Sequence, residues 1–156
     1  MQVKEIMEKK VISVKPSTTL KQLLKTFSKF HIFPLVPVVD GRDHLVGIVS
    51  FRNLIDAFKA PEPQILKNVP FLDEKEEDIF KVEITKEMGD LVVVDDIMET
   101  KFISIREDVS LEETYKLARL HLKGELPVVD DKGRLVGMIG IFDIVRHIFH
   151  EKGVIE

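Results

Sequence analysis

The feature that most constrains this chain is an internal repeat, because four short segments recur in the same order in its second half. The matching pairs are VKEIME at 3–8 with VDDIME at 94–99, KVISV at 10–14 with KFISI at 101–105, PVVD at 37–40 with PVVD at 127–130, and LVGIV at 45–49 with LVGMI at 135–139. Self-similarity of this kind indicates two copies of one structural unit. We therefore predict two repeats, 1–60 and 94–150, separated by an unmatched spacer at 61–93.

Each repeat begins with signals for a strand and then a helix. The β-branched or aromatic runs at 11–14 and 102–105 favour short strands. A capping box then starts a helix in both copies, since a Ser or Thr is followed three residues later by a Gln or Glu. These residues are Thr19 and Gln22 in the first copy, and Ser110 and Glu113 in the second.

The rest of each repeat predicts a hairpin and a closing helix. Two apolar segments flank a polar turn, DGRD at 40–43 and DDKG at 130–133, which is typical of a β-hairpin. Helical spacing of apolar residues predicts helices at 51–59 and 141–150. One unit of this size cannot cover both faces of its sheet. The predicted fold is therefore an α+β pair of tandem β-α-β-β-α repeats, packed with pseudo-two-fold symmetry and with clefts between them.

The passage from the last strand into the last helix carries the candidate ligand chemistry. If Ser50 is the helix N-cap, Asn53 is the third helical residue, and Gly140 and Asp143 take the same two places in the second copy. Free amide groups at such a corner favour an anion, and an oxygen at the third helical position can accept from a ribose hydroxyl. The same residues are also ordinary helix starters, and capping alone would explain either corner taken by itself.

Together these segments resemble the CBS domain, and two copies resemble a CBS pair, or Bateman module. The resemblance rests on Met7 and Met98, the ISV and ISI strands, the PVVD hairpins and the G-x-x-(S/G)-x-x-(N/D) corners that begin at Gly47 and Gly137. It covers both repeats and leaves out the spacer. The two glycines also allow a backbone or a ligand to approach closely.

The resemblance implies a module that binds AMP, ADP, ATP or a related adenosyl ligand such as S-adenosylmethionine as a regulatory ligand, with no cofactor required. In the family, the final corner holds phosphate and ribose. The adenine rests against the first strand and the segment before the second strand of the partner repeat. Carried over by position, the first cleft consists of Ser50, Asn53, Phe102, Ile103, Lys123 and Gly124. The second cleft consists of Gly140, Asp143, Val11, Ile12, Phe33 and Pro34.

Three residues depart from the family pattern. Asn53 replaces the commoner Asp and keeps an acceptor without its charge. Gly140 replaces a Ser or Thr and lacks the hydroxyl that would meet a phosphate, and Pro34 has no amide proton to donate. The two clefts should therefore differ, with Ser50 the better phosphate anchor and Asp143 the better ribose anchor.

Composition and motifs narrow the classes of function. The chain has no cysteine, which excludes thiolate chemistry, and its net charge of −4 argues against general nucleic-acid binding. We find no catalytic triad, phosphate-binding loop or paired-carboxylate motif, so we predict no enzyme activity. His147 and His150 lie one helical turn apart, but we predict no metal site because histidines at a helix end also complement its dipole.

Two further expectations concern the location of the protein in the cell and the structure of the spacer. No signal segment or apolar run of membrane length is found, so we predict a cytoplasmic protein without membrane insertion. The spacer carries nine acidic residues and four lysines, yet it contains many apolar side chains, so we expect it to be partly structured and to pack on the repeats or at a subunit contact.

Two functions remain open from the sequence. The first is a ligand sensor that forms a homodimer through exposed helices and signals in trans to an effector protein. The second is a ligand-free structural or assembly module that dimerises, which the departures at Asn53 and Gly140 favour.

Overall fold

In the computed structural model, which describes residues 1–58 and 79–156, the second repeat follows the order β-α-β-β-α, and in the first repeat an isolated bridge at Val14 takes the place of the leading strand. After a short 3-10 helix at Val3–Glu5, the first repeat contains α1 (Leu20–Thr26), β1 (Val36–Val39), β2 (Leu45–Val49) and α2 (Phe51–Asp56). Next come a 3-10 helix at Ile79–Lys81, α3 (Met88–Leu91) and α4 (Val94–Ile97). The second repeat contains β3 (Ile105–Arg106), α5 (Leu111–Leu120), β4 (Glu125–Val129), β5 (Leu135–Gly140) and α6 (Ile141–Glu151). The predicted α+β pair of repeats is confirmed.

The two capping predictions have different outcomes. Thr19 Oγ1 accepts from the Gln22 amide at 3.1 Å, and Gln22 Oε1 accepts from the Thr19 amide at 3.0 Å, so the first box is complete. Ser110 Oγ accepts from the Glu113 amide at 3.2 Å, but the return bond from Glu113 is not formed. Helix α5 therefore begins at the predicted residue, but only one of the two hydrogen bonds of its predicted capping box is formed.

The leading strands predicted at 11–14 and 102–105 are much shorter than expected. In the first repeat only Val14 forms a bridge, parallel to Val38 of β1. In the second repeat β3 begins at Ile105 and pairs in parallel with β4. The residues before β3 have no strand partner because they run along the space between the repeats, where Phe102 and Ile103 line a cavity.

Each repeat contributes its first residues to the core of the other. Val3 is fully buried among the apolar side chains of the second repeat, and Val94 is fully buried among those of the first. The same backbone bond anchors both segments: the Val3 amide donates to Val109 O at 2.9 Å, and the Val94 amide donates to Thr18 O at 2.8 Å. The two repeats are thus joined by exchanged segments related by a pseudo-two-fold axis.

These exchanged segments continue onto the edge of the opposite sheet. The amide and carbonyl of Glu8 both pair with Met138 of β5, and those of Glu99 both pair with Ile48 of β2. A Cβ atom on Gly137 would lie 2.7 Å from the Met7 sulfur and 2.8 Å from Glu8 O. The close approach predicted at this glycine is therefore confirmed, and it is made by a methionine and a backbone carbonyl.

The two hairpin turns meet at the pseudo-two-fold axis. The Leu45 amide donates to Gly133 O at 3.1 Å, and the Leu135 amide donates to Asp43 O at 2.9 Å. Asp43 and Gly133 occupy equivalent places, with φ of 64° and 79°. Because each turn pairs with the other, the hairpins hold the repeats in a fixed relation.

An aspartate organises each of these turns. Asp130 Oδ1 accepts from the amides of Lys132 and Arg134 at 2.9 Å, and its Oδ2 accepts from Arg134 Nε at 2.8 Å. These bonds stabilise the ionised carboxylate and lower the pKa of Asp130, with the Arg134 backbone bond as the largest cause. In the first turn the Arg42 backbone bond is the largest cause of the lowered pKa of Asp40.

The described end of the spacer lies against the first repeat. Helix α3 packs beside α1, and a Cβ atom on Gly89 would lie 3.3 Å from Lys21 Cβ. The predictions for residues 59–78 lie outside the described residues. Within the described ranges, none of the helices has the length and apolar character needed to cross a bilayer.

Candidate functional site

The first corner is built around the buried amide of Asn53. Ser50 is the N-cap of α2, as predicted, and its own amide donates to Asn53 Oδ1 at 2.7 Å. The Ser50 hydroxyl donates to the same oxygen at 2.8 Å. The hydroxyl predicted to meet a phosphate is therefore engaged in holding Asn53.

The other end of the Asn53 amide contacts the exchanged segment. Asn53 Nδ2 donates to Glu99 Oε1 at 2.9 Å, and Asn53 is only 7% exposed. An aspartate at this position would have no proton to donate and would repel Glu99. Asn53, which stands where the family more commonly has Asp, is thus suited to this position because the exchanged segment places the Glu99 carboxylate beside it.

The second corner has a different set of contacts. Asp143 is the third residue of α6, and its Oδ2 accepts from the Gly140 amide at 2.8 Å. Its Oδ1 accepts from the Arg146 guanidinium at 2.6 Å. Both carboxylate oxygens are therefore paired within α6 and its cap.

A cavity of about 300 Å³ lies between the repeats beside the first corner. Both repeats contribute to its wall, and Glu99 connects it to Asn53. A cavity of this volume is at the lower end of the range for small-molecule sites. We call it the inter-repeat cavity; its lining residues are Leu35, Ile48, Glu99, Lys101, Phe102, Ile103, His121, Lys123, Glu125 and Leu126.

The charged groups of the inter-repeat cavity differ in their partners. Glu125 Oε1 accepts from the Leu35 amide at 2.8 Å, a bond that links the two repeats. Glu99 accepts from Asn53, so both carboxylates are held by neutral donors. Lys101 and Lys123 are exposed and make no ion pair or side-chain hydrogen bond within the described chain.

The structure brings together part of the predicted first cleft. Phe102, Ile103 and Lys123 line the inter-repeat cavity, whereas Ser50 and Asn53 lie behind Glu99. The carbonyl of Gly124 accepts from the Ile141 amide at 2.9 Å, which places it at the start of α6.

The predicted second cleft is less assembled. The Phe33 ring packs edge-on against Phe27, with 5.3 Å between centroids, and so joins the core of the first repeat. Ile12 is 45% exposed, and Val11 and Pro34 are partly buried. Among the described residues, no hydrogen bond joins Asp143 to this group.

Sequence reasoning missed several cavity residues. Glu99 and Lys101 belong to segments that recur in the two repeats, and this recurrence could have marked them as candidates. Their position in the cavity, however, depends on the exchange of segments between the repeats. Glu125 follows directly on the predicted Lys123 and Gly124, yet its bond to Leu35 is a contact across the pseudo-two-fold axis. A single repeat does not contain the information that these residues share one wall.

No group of residues capable of holding a metal ion occurs in the described parts of the chain. His147 Nε2 lies 3.3 Å from Glu151 Oε1 on the next turn of α6. Both side chains lie in the C-terminal half of α6, so the histidine contacts a carboxylate of its own helix.

Comparison with known proteins gives matches over both repeats. Residues 3–60 and 94–150 each match the CBS domain family. A CBS domain-containing protein of Dictyostelium discoideum is 33% identical over 144 residues, which are 92% of this chain and 88% of that protein. Inosine-5'-monophosphate dehydrogenase of Methanocaldococcus jannaschii is 30% identical over 142 residues. That match covers 91% of this chain but only 22% of the enzyme.

Solved structures share the fold of this chain. CBSX2, a CBS-pair protein of Arabidopsis thaliana, has a crystal structure in complex with AMP. The AMP complex is 27% identical to this chain with a TM-score of 0.69, over 97% of this chain and 98% of that one. Protein MJ1225 of Methanocaldococcus jannaschii has a TM-score of 0.73 at 23% identity, over 97% of this chain and 51% of that one, a likeness of fold alone.

Proposed function

The chain belongs to the CBS domain family, and from this premise we propose that it is a regulatory module without catalytic activity of its own. It binds an adenosine nucleotide or a related adenosyl ligand in the inter-repeat cavity. The liganded state is read in trans by a separate effector protein in the cytoplasm.

The observation that carries this proposal is a cavity whose wall is shared between the repeats. A ligand that contacts Leu35 and Ile48 on one side and Phe102 and Lys123 on the other stabilises one relative position of the two units. The similarity to CBSX2, whose structure contains AMP, supports an adenosyl ligand.

The apolar and polar residues of the cavity have different roles in the proposal. Phe102 and Ile103 pack against the adenine, and the ribose lies toward Asn53 beyond Glu99. The cavity is lined by residues of the first cleft, whereas in the second cleft the Phe33 side chain packs against the core of the first repeat. We therefore assign the ligand to the first cleft.

A thermal-shift titration tests the proposal. At one hundred times the dissociation constant, a ligand that binds only the folded state adds about 2.7 kcal/mol. For a chain of this length this raises the midpoint by roughly 5–10 °C. The proposal fails if AMP, ADP, ATP and S-adenosylmethionine all leave the midpoint unchanged.

A matched pair of variants tests the location. Ile103→Trp fills the inter-repeat cavity and should abolish the ligand-induced shift. Ile12→Trp changes the equivalent position in the second cleft, where the side chain is 45% exposed, and should leave the shift intact. If Ile12→Trp abolished the shift and Ile103→Trp preserved it, the ligand would have to be assigned to the second cleft.

A second candidate function is a ligand-free assembly module. The observation that favours it is that the acceptor oxygens at both corners are engaged in caps, at Asn53 and at Asp143. An assembly module would show no shift with any adenosyl compound and would still form a stable oligomer.

We also propose that the chain forms a homodimer through α6. Ile144 on this helix is buried in its own repeat, whereas Phe142, Ile148 and Phe149 are 70%, 45% and 47% exposed. Several large apolar side chains exposed on one helix are typical of an interface. Light scattering after gel filtration should give twice the chain mass for the native protein and a monomer for Phe142→Asp with Phe149→Asp. A native monomer would contradict the proposal.

A further inference from the structure

We infer that each repeat carries a docking patch for an apolar protein segment with acidic flanks, and that the effector protein binds this chain through these patches. The first-repeat patch is formed by Phe30 and Ile32, and the second-repeat patch by Leu120 and Leu122. Only the identification of the docked protein as the effector rests on the proposed function.

A four-residue motif of exposed side chains recurs shortly before β1 and β4. When the PVVD segments are superimposed, KFHI at 29–32 falls on RLHL at 119–122. Phe30 and Ile32 are 48% and 74% exposed, and Leu120 and Leu122 are 76% and 93% exposed. Isolated apolar residues on a surface are ordinary, whereas neighbouring ones that recur in both repeats indicate an interaction site.

Leu122 adopts a backbone conformation that favours glycine, with a φ of 54°. The turn that contains it closes α5, since the Leu122 amide donates to Arg119 O at 3.2 Å and the Lys123 amide donates to Ala118 O at 2.8 Å. Helix α6 ends in the same type of turn, and there the corresponding residue is Gly153, with a φ of 71°. The leucine thus strains the turn without burying its side chain, which indicates that the side chain is used in a contact with another molecule.

The charges beside the two patches have the same sign. Residues 24–32 and residues 115–122 each contain two cations and no carboxylate. These cations are Lys25 and Lys29 in the first stretch, and Lys116 and Arg119 in the second. None of them makes an ion pair within the part of the chain that the structure describes. Glu112 and Glu113 lie in the first turn of α5, at the end opposite to Leu120.

This charge distribution determines which partner fits the patches. Contact between the patches of two copies of this chain would bring cations together, which disfavours a second copy as the occupant. A segment of another protein is complementary when Asp or Glu residues flank its apolar side chains. The apolar side chains then cover the exposed leucines, and the carboxylates meet Lys29 or Arg119.

The second-repeat patch adjoins the inter-repeat cavity. His121 and Lys123 line the cavity, while Leu122, which lies between them in the chain, is exposed to solvent. A rearrangement of the cavity wall therefore reaches the docking patch through adjacent residues.

Selection of a phage-displayed library of random peptides on the native chain tests the inference. We expect the selected peptides to carry apolar residues flanked by Asp or Glu. A synthetic peptide of this kind should bind at least about tenfold more weakly to Ile32→Ser combined with Leu122→Gly, because buried apolar anchors are lost. Its affinity for the native chain should fall as the salt concentration rises, since the flanking contacts join exposed charges.

Leu122→Gly by itself separates docking from folding. Glycine is unstrained in the left-handed region, so this variant should unfold at the same temperature as the native protein or at a higher one, and it should still bind the peptide more weakly. Leu91→Ser is the matched control, since it removes a leucine that is 76% exposed on α3, outside both patches. This control should bind the peptide with native affinity.

The docking patches are overturned if no peptide is enriched, if the enriched peptides lack acidic residues, or if the native chain and the double variant bind them equally. Binding of random single-stranded DNA that the double variant loses would overturn the protein segment in favour of a nucleic acid. The thermal-shift titration with adenine compounds is a separate measurement. Peptide binding without any thermal shift leaves the patches standing and overturns the sensor, and a thermal shift without peptide binding does the reverse.

Discussion

At the scale of single residues, the glycines of β2 and β5 show how the repeats are held together. Gly137 has no Cβ, and the Met7 sulfur and the Glu8 carbonyl occupy the space where one would be. Gly47 has the same relation to Met98 and Glu99. The methionines and glycines that the sequence repeats are therefore two halves of one contact.

Gly137→Ala should destabilise the protein by about 1–3 kcal/mol, since the new methyl group overpacks a backbone carbonyl that cannot move away freely. Gly41→Ala is the matched control, because nothing lies within 4 Å of its Cβ position. Its effect should stay within about 0.5 kcal/mol. Urea denaturation measures both, and equal stabilities of the two variants would contradict the contact.

The turn aspartates give a prediction for pH. The pKa of Asp130 is lowered from its ordinary value of 3.8, so its contribution to stability is complete above that value and is lost as the pH falls through the lowered pKa. Asp130→Asn keeps an acceptor for the turn amides but cannot titrate. Its midpoint of thermal unfolding should therefore fall less steeply than that of the native protein below pH 4. The exposed neighbour Asp131→Asn should retain the native slope, and a native slope in Asp130→Asn would count against the hydrogen bonds described.

At the scale of elements, the first segment of each repeat stabilises the opposite repeat. Deleting residues 1–8 removes the carbonyls that accept from the amides of Met138 and Leu111. Hydrogen exchange should show loss of protection at these two amides of the second repeat, while Ile48 and Leu20 of the first repeat stay protected. Faster exchange in the first repeat alone would contradict the exchanged arrangement.

A milder variant keeps this test usable if the deletion does not fold. Val3 is fully buried in the second core, and Val3→Ala should cost about 2 kcal/mol. Val154→Ala changes a valine that is 63% exposed and should be nearly neutral.

The elements themselves were largely predictable, and the reasons are local. Thr19 and Gln22, or Ser50 and Asn53, satisfy each other's amides within one turn, so a short stretch of sequence is sufficient to place a helix start. The strand at 102–105 was overestimated because β-branched residues favour extended backbone whether or not a neighbouring strand is present.

At the scale of the whole molecule, the repeat predicted two related units but not their exchange. The apolar residues of VKEIME fit the core of their own repeat as well as the core of the opposite repeat. Sequence similarity alone therefore cannot distinguish these two arrangements. For the same reason the composition of the inter-repeat cavity was only partly foreseen: Phe102, Ile103 and Lys123 were expected, while Glu99 and Glu125 enter through contacts across the axis.

The central claim is that the space between the repeats is a ligand site, and a crystal structure of the chain grown with saturating ATP tests it most directly. The account predicts density for an adenine beside Phe102 and Ile103 in the inter-repeat cavity. An empty inter-repeat cavity with ATP bound elsewhere, or no bound ATP at a saturating concentration, would contradict it.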